Sequence, residues 1–226
     1  MTEQLPLPLT HRPAYGQDDF LVSQSNERAV AVIDRYPDWD PPIVIVTGPA
    51  GSGKTHLASV FASRSDATYL TLNDVTTAGM QGALRADALV LEDIENVAAL
   101  PEPDSFFLLI DACLRRRLPL LLTSQKPPTD WQIARPDTVS RLALADLVPI
   151  AAPDDALLAG VLVKLFRDRQ LTVAPDTVRY IVERSERSFE AVNRLVDVLD
   201  RRALTVRRPV TRALVREVLD AGSRAI

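Results

Sequence analysis

The chain has 226 residues, 46% of them hydrophobic and 25% charged, with a formal net charge of −4. That length allows one α/β domain with a small attachment, and the apolar content allows a real core. The negative balance excludes a protein whose whole surface grips nucleic acid, while leaving room for a local basic patch.

Residues 1–12, MTEQLPLPLTHR, read as a flexible segment separate from the fold. Pro6 and Pro8 bar a helix and push their neighbours towards an extended shape. The segment lacks the basic start and apolar run of a secretory signal. No stretch approaches the roughly 18 consecutive apolar residues of a membrane-spanning helix.

A globular pattern begins near Phe20. Continuously apolar runs then occur at Ile43–Thr47, Tyr69–Leu72, Leu89–Leu91 and Leu120–Thr123, with a weaker one at Leu147–Ile150. Helical patterns at 54–64, 104–117 and 137–145 separate them. Apolar strands alternating with helices predict an α/β domain over 13–153, with a five-stranded parallel sheet between helices. Cys113 lies in an apolar helical stretch and reads as a small buried hydrophobe. A single thiol forms no internal disulfide and fits a reducing, cytoplasmic compartment.

After Pro153 the strand signals stop. Leu157, Leu158, Val161, Leu162, Leu165 and Phe166 recur at helical spacing, as do Val192, Leu195, Val196 and Leu199, and then Leu214, Val215, Val218 and Leu219. Pro175-Asp176-Thr177 reads as a helix start and Ser188 as a cap. A small all-α domain is predicted over 154–226. Arg201, Arg202, Arg207, Arg208 and Arg212 form a basic segment that reads either as a solvated helix end or as a contact with DNA phosphates or an acidic partner. His11 and His56 lack metal-ligand spacing.

The chemistry concentrates in two places. Gly48-Pro49-Ala50-Gly51-Ser52-Gly53-Lys54-Thr55 fits G-x-x-x-x-G-K-[ST], directly after an apolar strand and at the start of a helical pattern. Glycines let the backbone turn tightly and aim N–H groups at phosphate oxygens, and the following helix presents its positive end to the same anion. Lys54 is expected to reach the β- and γ-phosphates of ADP or ATP, and Thr55 to ligate Mg²⁺. Leu89-Val90-Leu91 ends in Glu92 and Asp93. At the C-terminal end of a parallel strand, one such carboxylate can hold Mg²⁺ and the other can orient an attacking water. The alternative is an acidic start to a solvated loop, since Glu95 follows.

Together these segments resemble the AAA+ ATPases, and among them the DnaA-related branch that includes the Hda family of DnaA regulatory inactivators. The resemblance covers about residues 20–221. Phe20-Leu21-Val22 with Ser25-Asn26 is similar to the segment by which DnaA proteins enter the fold near the adenine, which implies a nucleotide contact for Asn26. Leu91-Glu92-Asp93-Ile94-Glu95-Asn96 resembles the Walker B region. Leu122-Thr123-Ser124-Gln125-Lys126-Pro127-Pro128 resembles the sensor I strand and loop and puts Gln125 at the sensor position. Val139-Ser140-Arg141-Leu142 resembles the segment carrying an arginine finger, an arginine offered to a neighbour's γ-phosphate. Without the resemblance, Arg141 reads as one half of a surface salt bridge with an acid such as Asp137.

Three departures from the family pattern bear on activity. Glu92 stands where an aspartate usually leads, Gln125 where an acidic residue is common, and Glu190 near the place of a sensor II arginine, with Arg187 and Arg194 close by. These point to weak or no intrinsic ATPase. With the sequence ending at Ile226, right after the predicted lid helices, and a DNA-reading domain needing at least ~50 residues, sequence-specific origin binding is not expected. Gln4-Leu5-Pro6-Leu7-Pro8-Leu9 resembles the Q-L-x-L-x-L peptide by which bacterial proteins dock on the sliding clamp, with Gln4, Leu5, Leu7 and Leu9 as contacts. By itself that hexapeptide reads more readily as a disordered apolar tail.

The resemblance therefore implies a regulator that docks on the DNA-loaded β clamp of DNA polymerase III, near the nucleoid, and promotes hydrolysis of DnaA-bound ATP. Its partners would be the clamp, DnaA, DNA through the clamp, and a further copy of itself. The alternatives are a stand-alone AAA+ ATPase such as a helicase loader, or a non-catalytic adaptor that sequesters DnaA. A small-molecule P-loop kinase fits poorly with the helical lid.

Overall fold

The computed structural model describes residues 21–222 apart from Pro101 and Arg207. The described chain divides into two units, one of residues 26–151 and one of residues 21–25 with 152–222.

The first unit is built on strands β1 (Ile43–Thr47), β2 (Thr68–Leu70), β3 (Leu89–Leu91), β4 (Leu120–Ser124) and β5 (Asp146–Pro149). They form one wholly parallel sheet in the order β2-β3-β4-β1-β5. Helices α1 (Glu27–Asp34), α2 (Lys54–Ser65), α3 (Thr77–Ala83), α4 (Pro103–Arg116) and α5 (Pro136–Leu142) connect and cover it. Every residue of β1, β3 and β4 is buried, as an apolar run without polar alternation requires when both faces of a sheet are covered. Pairing of Thr47 with Ser124 and of Leu91 with Leu122 brings the C-terminal ends of these three strands to one edge. The loops beginning at Gly48, Glu92 and Gln125 therefore leave the sheet side by side.

The core below that edge includes Ile43, Ile45, Leu89, Leu91, Phe106, Leu109, Ile110, Leu120 and Leu122. Between α1 and α2, Trp39 stacks on the fully buried Phe61 with ring centroids 4.7 Å apart, and Tyr36 meets Phe61 edge-on at 5.3 Å. Each such pair adds about 0.5–1.5 kcal/mol beyond area burial.

Several element ends differ from those expected of the sequence. β2 stops at Leu70 because Thr71 caps a 3₁₀ turn over Leu72–Asp74, with the Asp74 carboxylate accepting from the Thr71 amide (2.8 Å) and hydroxyl (2.6 Å). β5 begins one residue early, where Asp146 is held by Arg35, the residue just after α1, at 3.1 Å. α5 starts on Pro136 and ends at Leu142 rather than 145, since the amides of Leu144 and Ala145 turn back three residues, to Arg141 and Leu142.

The second unit is helical: α6 (Asp155–Asp168), α7 (Pro175–Val182), α8 (Phe189–Val206) and α9 (Arg212–Gly222). Asp154 caps α6 by accepting from the Leu157 amide at 2.8 Å, and Pro175 occupies the first turn of α7. The Ser188 hydroxyl accepts from the Ala191 amide at 3.3 Å, as expected of a helix cap. Leu158, Leu162, Phe166, Ile181, Val192, Val196, Leu199 and Val215 make its own core. Among the described residues, no helix is long and apolar enough to cross a membrane.

Candidate functional site

The loop from Gly48 to Gly53 joins β1 to α2, and its conformation explains its glycines. The Gly48 amide donates to the Ser124 carbonyl at 3.1 Å, which pins the loop to the end of β4. A Cβ on Gly48 would lie 2.4 Å from the Ile150 carbonyl oxygen, so only glycine fits. Gly51 and Gly53 adopt φ of 70° and 98°, the left-handed region that glycine enters without a Cβ penalty. Gly53 caps α2 with no side-chain hydrogen bond, so the positive end of that helix faces the loop.

Lys54 is 7% exposed, and its ammonium donates to the carbonyls of Gly48 (2.9 Å) and Pro49 (3.0 Å). Its charge thus sits inside the loop. Burial pushes the Lys54 pKa down, against the pull of Asp93, Glu95 and Glu92.

Glu92 follows the last residue of β3. Burial raises its pKa, opposed by a hydrogen bond from the Thr55 side chain, reinforced by Asp93 and again opposed by Lys54. Its Oε1 is buried without a hydrogen-bond partner, and so is the Ser52 hydroxyl in the loop itself. Orphaned buried polar atoms are costly and uncommon, and two of them beside one glycine loop fit a site shaped for a polar ligand. Asp93 is exposed, holds φ 52°, and donates its amide to the Thr123 hydroxyl at 3.2 Å.

The Glu95 carboxylate accepts from the Gln125 amide, linking the β3 and β4 loops. Ser124 and Trp131 close the second loop: the Trp131 indole donates to the Ser124 hydroxyl (3.0 Å) and to the Lys126 carbonyl (2.9 Å). Residues 48–55, Glu92, Asp93 and Gln125 are thereby brought together at one sheet edge. The loop, the lysine and the acidic pair make a cradle suited to a polyphosphate and a divalent cation.

A family profile described as the Hda lid domain matches residues 155–219. The structure is similar to domain III of DnaA from Thermotoga maritima, with TM-score 0.72 and 16% identity over 89% of this chain and 94% of that one. It is also similar to AMPPCP-bound DnaA from Aquifex aeolicus, with TM-score 0.70 and 18% identity over 84% of this chain and 66% of that one. Residues 155–219 thus carry an Hda-type lid sequence, and the chain shares the fold of DnaA domain III. It spans 62% and 66% of the two longer DnaA chains it matches. An uncharacterized protein of Haemophilus influenzae is 24% identical over 239 aligned positions, covering 97% of this chain and all of that protein.

The other residues singled out from the sequence sit on other elements. Arg141, on α5, is 29% exposed. Its Nε donates to Asp111 of α4 at 2.7 Å, and its guanidinium covers the Phe107 ring at 4.5 Å. The partner is Asp111 and not Asp137, which instead pairs with Arg135 at 3.6 Å. Sequence reasoning missed Asp111 and Phe107. Their signal is the i,i+4 spacing Phe107, Asp111, Arg115, which puts an aromatic, an acid and a base on one stripe of α4.

Asn26 is buried just ahead of α1, where its carbonyl accepts from the Val30 amide at 3.0 Å. In the lid, Glu190 pairs with Arg194 (3.2 Å) and Arg187 with Asp155 (2.9 Å). Of the basic segment, Arg202 pairs with Glu217 at 2.6 Å and Arg212 covers Tyr180 at 4.4 Å, while Arg207 lies outside the described residues. So do Gln4, Leu5, Leu7 and Leu9.

Proposed function

We propose that this DnaA-related AAA+ protein binds ADP or ATP with Mg²⁺, docks on the DNA-loaded sliding clamp, and promotes hydrolysis of ATP held by DnaA, which prevents a second round of initiation. The observation that carries this reading is a glycine-shaped loop with Lys54 buried inside it, in a chain whose helical unit matches the Hda lid. The backbone amides of Gly48 to Gly53 and the Lys54 ammonium hold the phosphates. Asn26 lies towards the adenine. Thr55, Glu92 and Asp93 hold Mg²⁺, which when bound offsets phosphate charge. Ser52 and Glu92 supply polar atoms that the fold leaves unsatisfied.

Arg141 is the finger. A guanidinium is permanently charged, and its planar fork matches phosphate oxygens. Its half-buried seat fixes its direction, so less entropy is lost when it meets an anion. Gln125, lacking the charge common at the sensor I position, and Glu92, with its raised pKa, support weak turnover by the chain itself. The Q-L-P-L-P-L sequence at 4–9 supports clamp docking: its prolines reduce the ordering cost of an extended peptide, and its leucines can fill an apolar groove. A short tether then gives an effective concentration of roughly millimolar order, enough for a weak contact with DnaA.

The test mixes the full chain with clamp-loaded DNA and ATP-bound DnaA and follows conversion to ADP. Conversion that accelerates with the clamp and is lost on changing Leu7 and Leu9 to alanine is the expected result. No acceleration, with ATP on DnaA left intact, would replace this reading with a sequestering adaptor.

A further inference from the structure

Asp111 lies at the centre of an arrangement that the finger alone does not use. Its two oxygens take two different arginines: Oδ1 accepts from Nε of Arg141 on α5 at 2.7 Å, and Oδ2 forms an ion pair with Nε of the exposed Arg115 on α4, also at 2.7 Å. The carboxylate is 18% exposed, and its pKa is held below the usual range, first by the Arg141 hydrogen bond and further by Arg115. Each guanidinium is therefore anchored at its inner nitrogen. Among the described residues, the terminal nitrogens of both donate to no other group. Arg135 on the same surface differs, since its terminal nitrogens are committed to Asp104 (2.7 Å) and Asp137 (3.6 Å).

An isolated arginine–carboxylate pair favours a two-pronged contact that uses the outer fork. Sharing one carboxylate between two inner nitrogens leaves two outer forks and a net charge of about +1. Phe107 supports one side, with Arg141 over its ring at 4.5 Å and Arg135 at 3.8 Å. Leu108 and Val139, on the same two helices, are 44% and 46% exposed. Two cationic forks beside exposed apolar side chains suit an anion carried by a protein surface.

We propose that Arg115 and Arg141 form a two-arginine clip for the terminal phosphates of a nucleotide held by a partner protein, with Asp111 and Phe107 as positioning residues. Its biological ligand rests on the function proposed above, whereas the clip itself is testable without DnaA.

The first measurement is calorimetric titration of inorganic tripolyphosphate into the full chain carrying Lys54→Ala, which removes the phosphate loop's lysine. Binding in the millimolar range is expected, weakened about fivefold or more by Arg115→Gln and by Arg141→Gln, the loss of one charge-assisted contact each. Asp111→Asn separates positioning from charge. Removing a negative charge beside an anion tightens binding if Asp111 acts only electrostatically, whereas loss of the anchor weakens it, and weakening is the expected result. Phe107→Leu, which leaves every charge in place, is expected to weaken binding in the same direction and serves if Asp111→Asn does not fold.

The second measurement is single-turnover hydrolysis on ATP-bound DnaA with clamp and DNA. Arg115→Gln is expected to lower the maximal rate about tenfold, with up to about a fivefold rise in the half-saturating concentration, so that the contact is stronger in the transition state than in the ground state. Tripolyphosphate binding that ignores both arginine variants overturns the clip and leaves a purely structural ion-pair network. Normal stimulation by Arg115→Gln, with stimulation by the wild type, removes Arg115 from the site. No stimulation by the wild type refutes the proposed function, and the titration still decides the clip.

Discussion

Replacing Gly48 by alanine tests the geometry of the phosphate loop against a control in the same unit. Gly48 does not hold a left-handed conformation, so the penalty is one of space. The new methyl carbon would stand 2.4 Å from the Ile150 carbonyl oxygen, 1 Å short of the 3.4 Å where ordinary contact begins, and 3.0 Å from the Ser52 hydroxyl. That carbonyl is backbone and cannot rotate away. The Ile150 amide is bound to Thr47 at 2.7 Å and the Gly48 amide to Ser124 at 3.1 Å, so relief must separate the loop from β4 or β5. Overpacking of this kind costs about 1–3 kcal/mol. It also displaces the Gly48 carbonyl that receives Lys54.

Gly82, in α3, has no atom within 4 Å of the place a methyl carbon would take, and alanine in a helix is favoured over glycine by about 0.5–1 kcal/mol. Urea unfolding followed by circular dichroism should therefore give opposite signs for the same chemical change. Gly48→Ala is expected to lose about 1–3 kcal/mol and to weaken ADP at least about tenfold. Gly82→Ala is expected to hold or gain stability with ADP binding unchanged. A Gly48→Ala protein as stable as wild type, with full nucleotide affinity, would falsify the reasoning.

Three further outcomes follow from particular side chains. Cys113 is fully buried and its thiol is pushed up to about 12, so in native protein at pH 8 Ellman's reagent should react far more slowly than with a free thiol and complete only on unfolding; free-thiol kinetics in the native state would contradict its placement. Glu92 has a raised folded-state pKa, so the stability linked to its proton is present below the ordinary glutamate value and lost as pH rises through the folded one. Glu92→Gln should accordingly melt higher than wild type at pH 7.5, with the gain vanishing below pH ~4, and should lose the Mg²⁺-dependent part of nucleotide affinity; equal melting at pH 7.5 would count against the burial of this carboxylate. Arg141→Ala removes a partly exposed ion pair and ring contact, for about 0.5–2 kcal/mol of stability, with clamp and nucleotide binding retained. The same variant should lower stimulation of DnaA by about 10³ or more, and stimulation at the wild-type rate would remove Arg141 from the finger role.

The features legible in the sequence are those whose causes are local. β1 and β4 announce themselves because strands covered on both faces need unbroken apolar runs, and the phosphate loop does so because its glycines answer backbone requirements within eight residues. Lys54 and Glu92 follow from their places at the ends of a loop and a strand. Contacts made by tertiary packing are not legible in this way. Asp111 is thirty positions from Arg141, so sequence reasoning turns to the nearer Asp137, which in the fold serves Arg135. The Glu95–Gln125 link spans the same distance between two loops. The ends of β2 and α5 shift because a side-chain cap at Thr71 and tight turns at Leu144 and Ala145 override apolar residues that continue past them.

Calorimetric titration of Mg²⁺-ADP and Mg²⁺-ATP into the full chain, beside the same chain carrying Lys54→Ala, most directly tests whether the loop after β1 holds a nucleotide. One site per chain is expected, with micromolar or tighter affinity for at least one of the two, and a loss of about a hundredfold or more without the Lys54 ammonium. Heat of binding absent from the wild type, or undiminished in the variant, would contradict it.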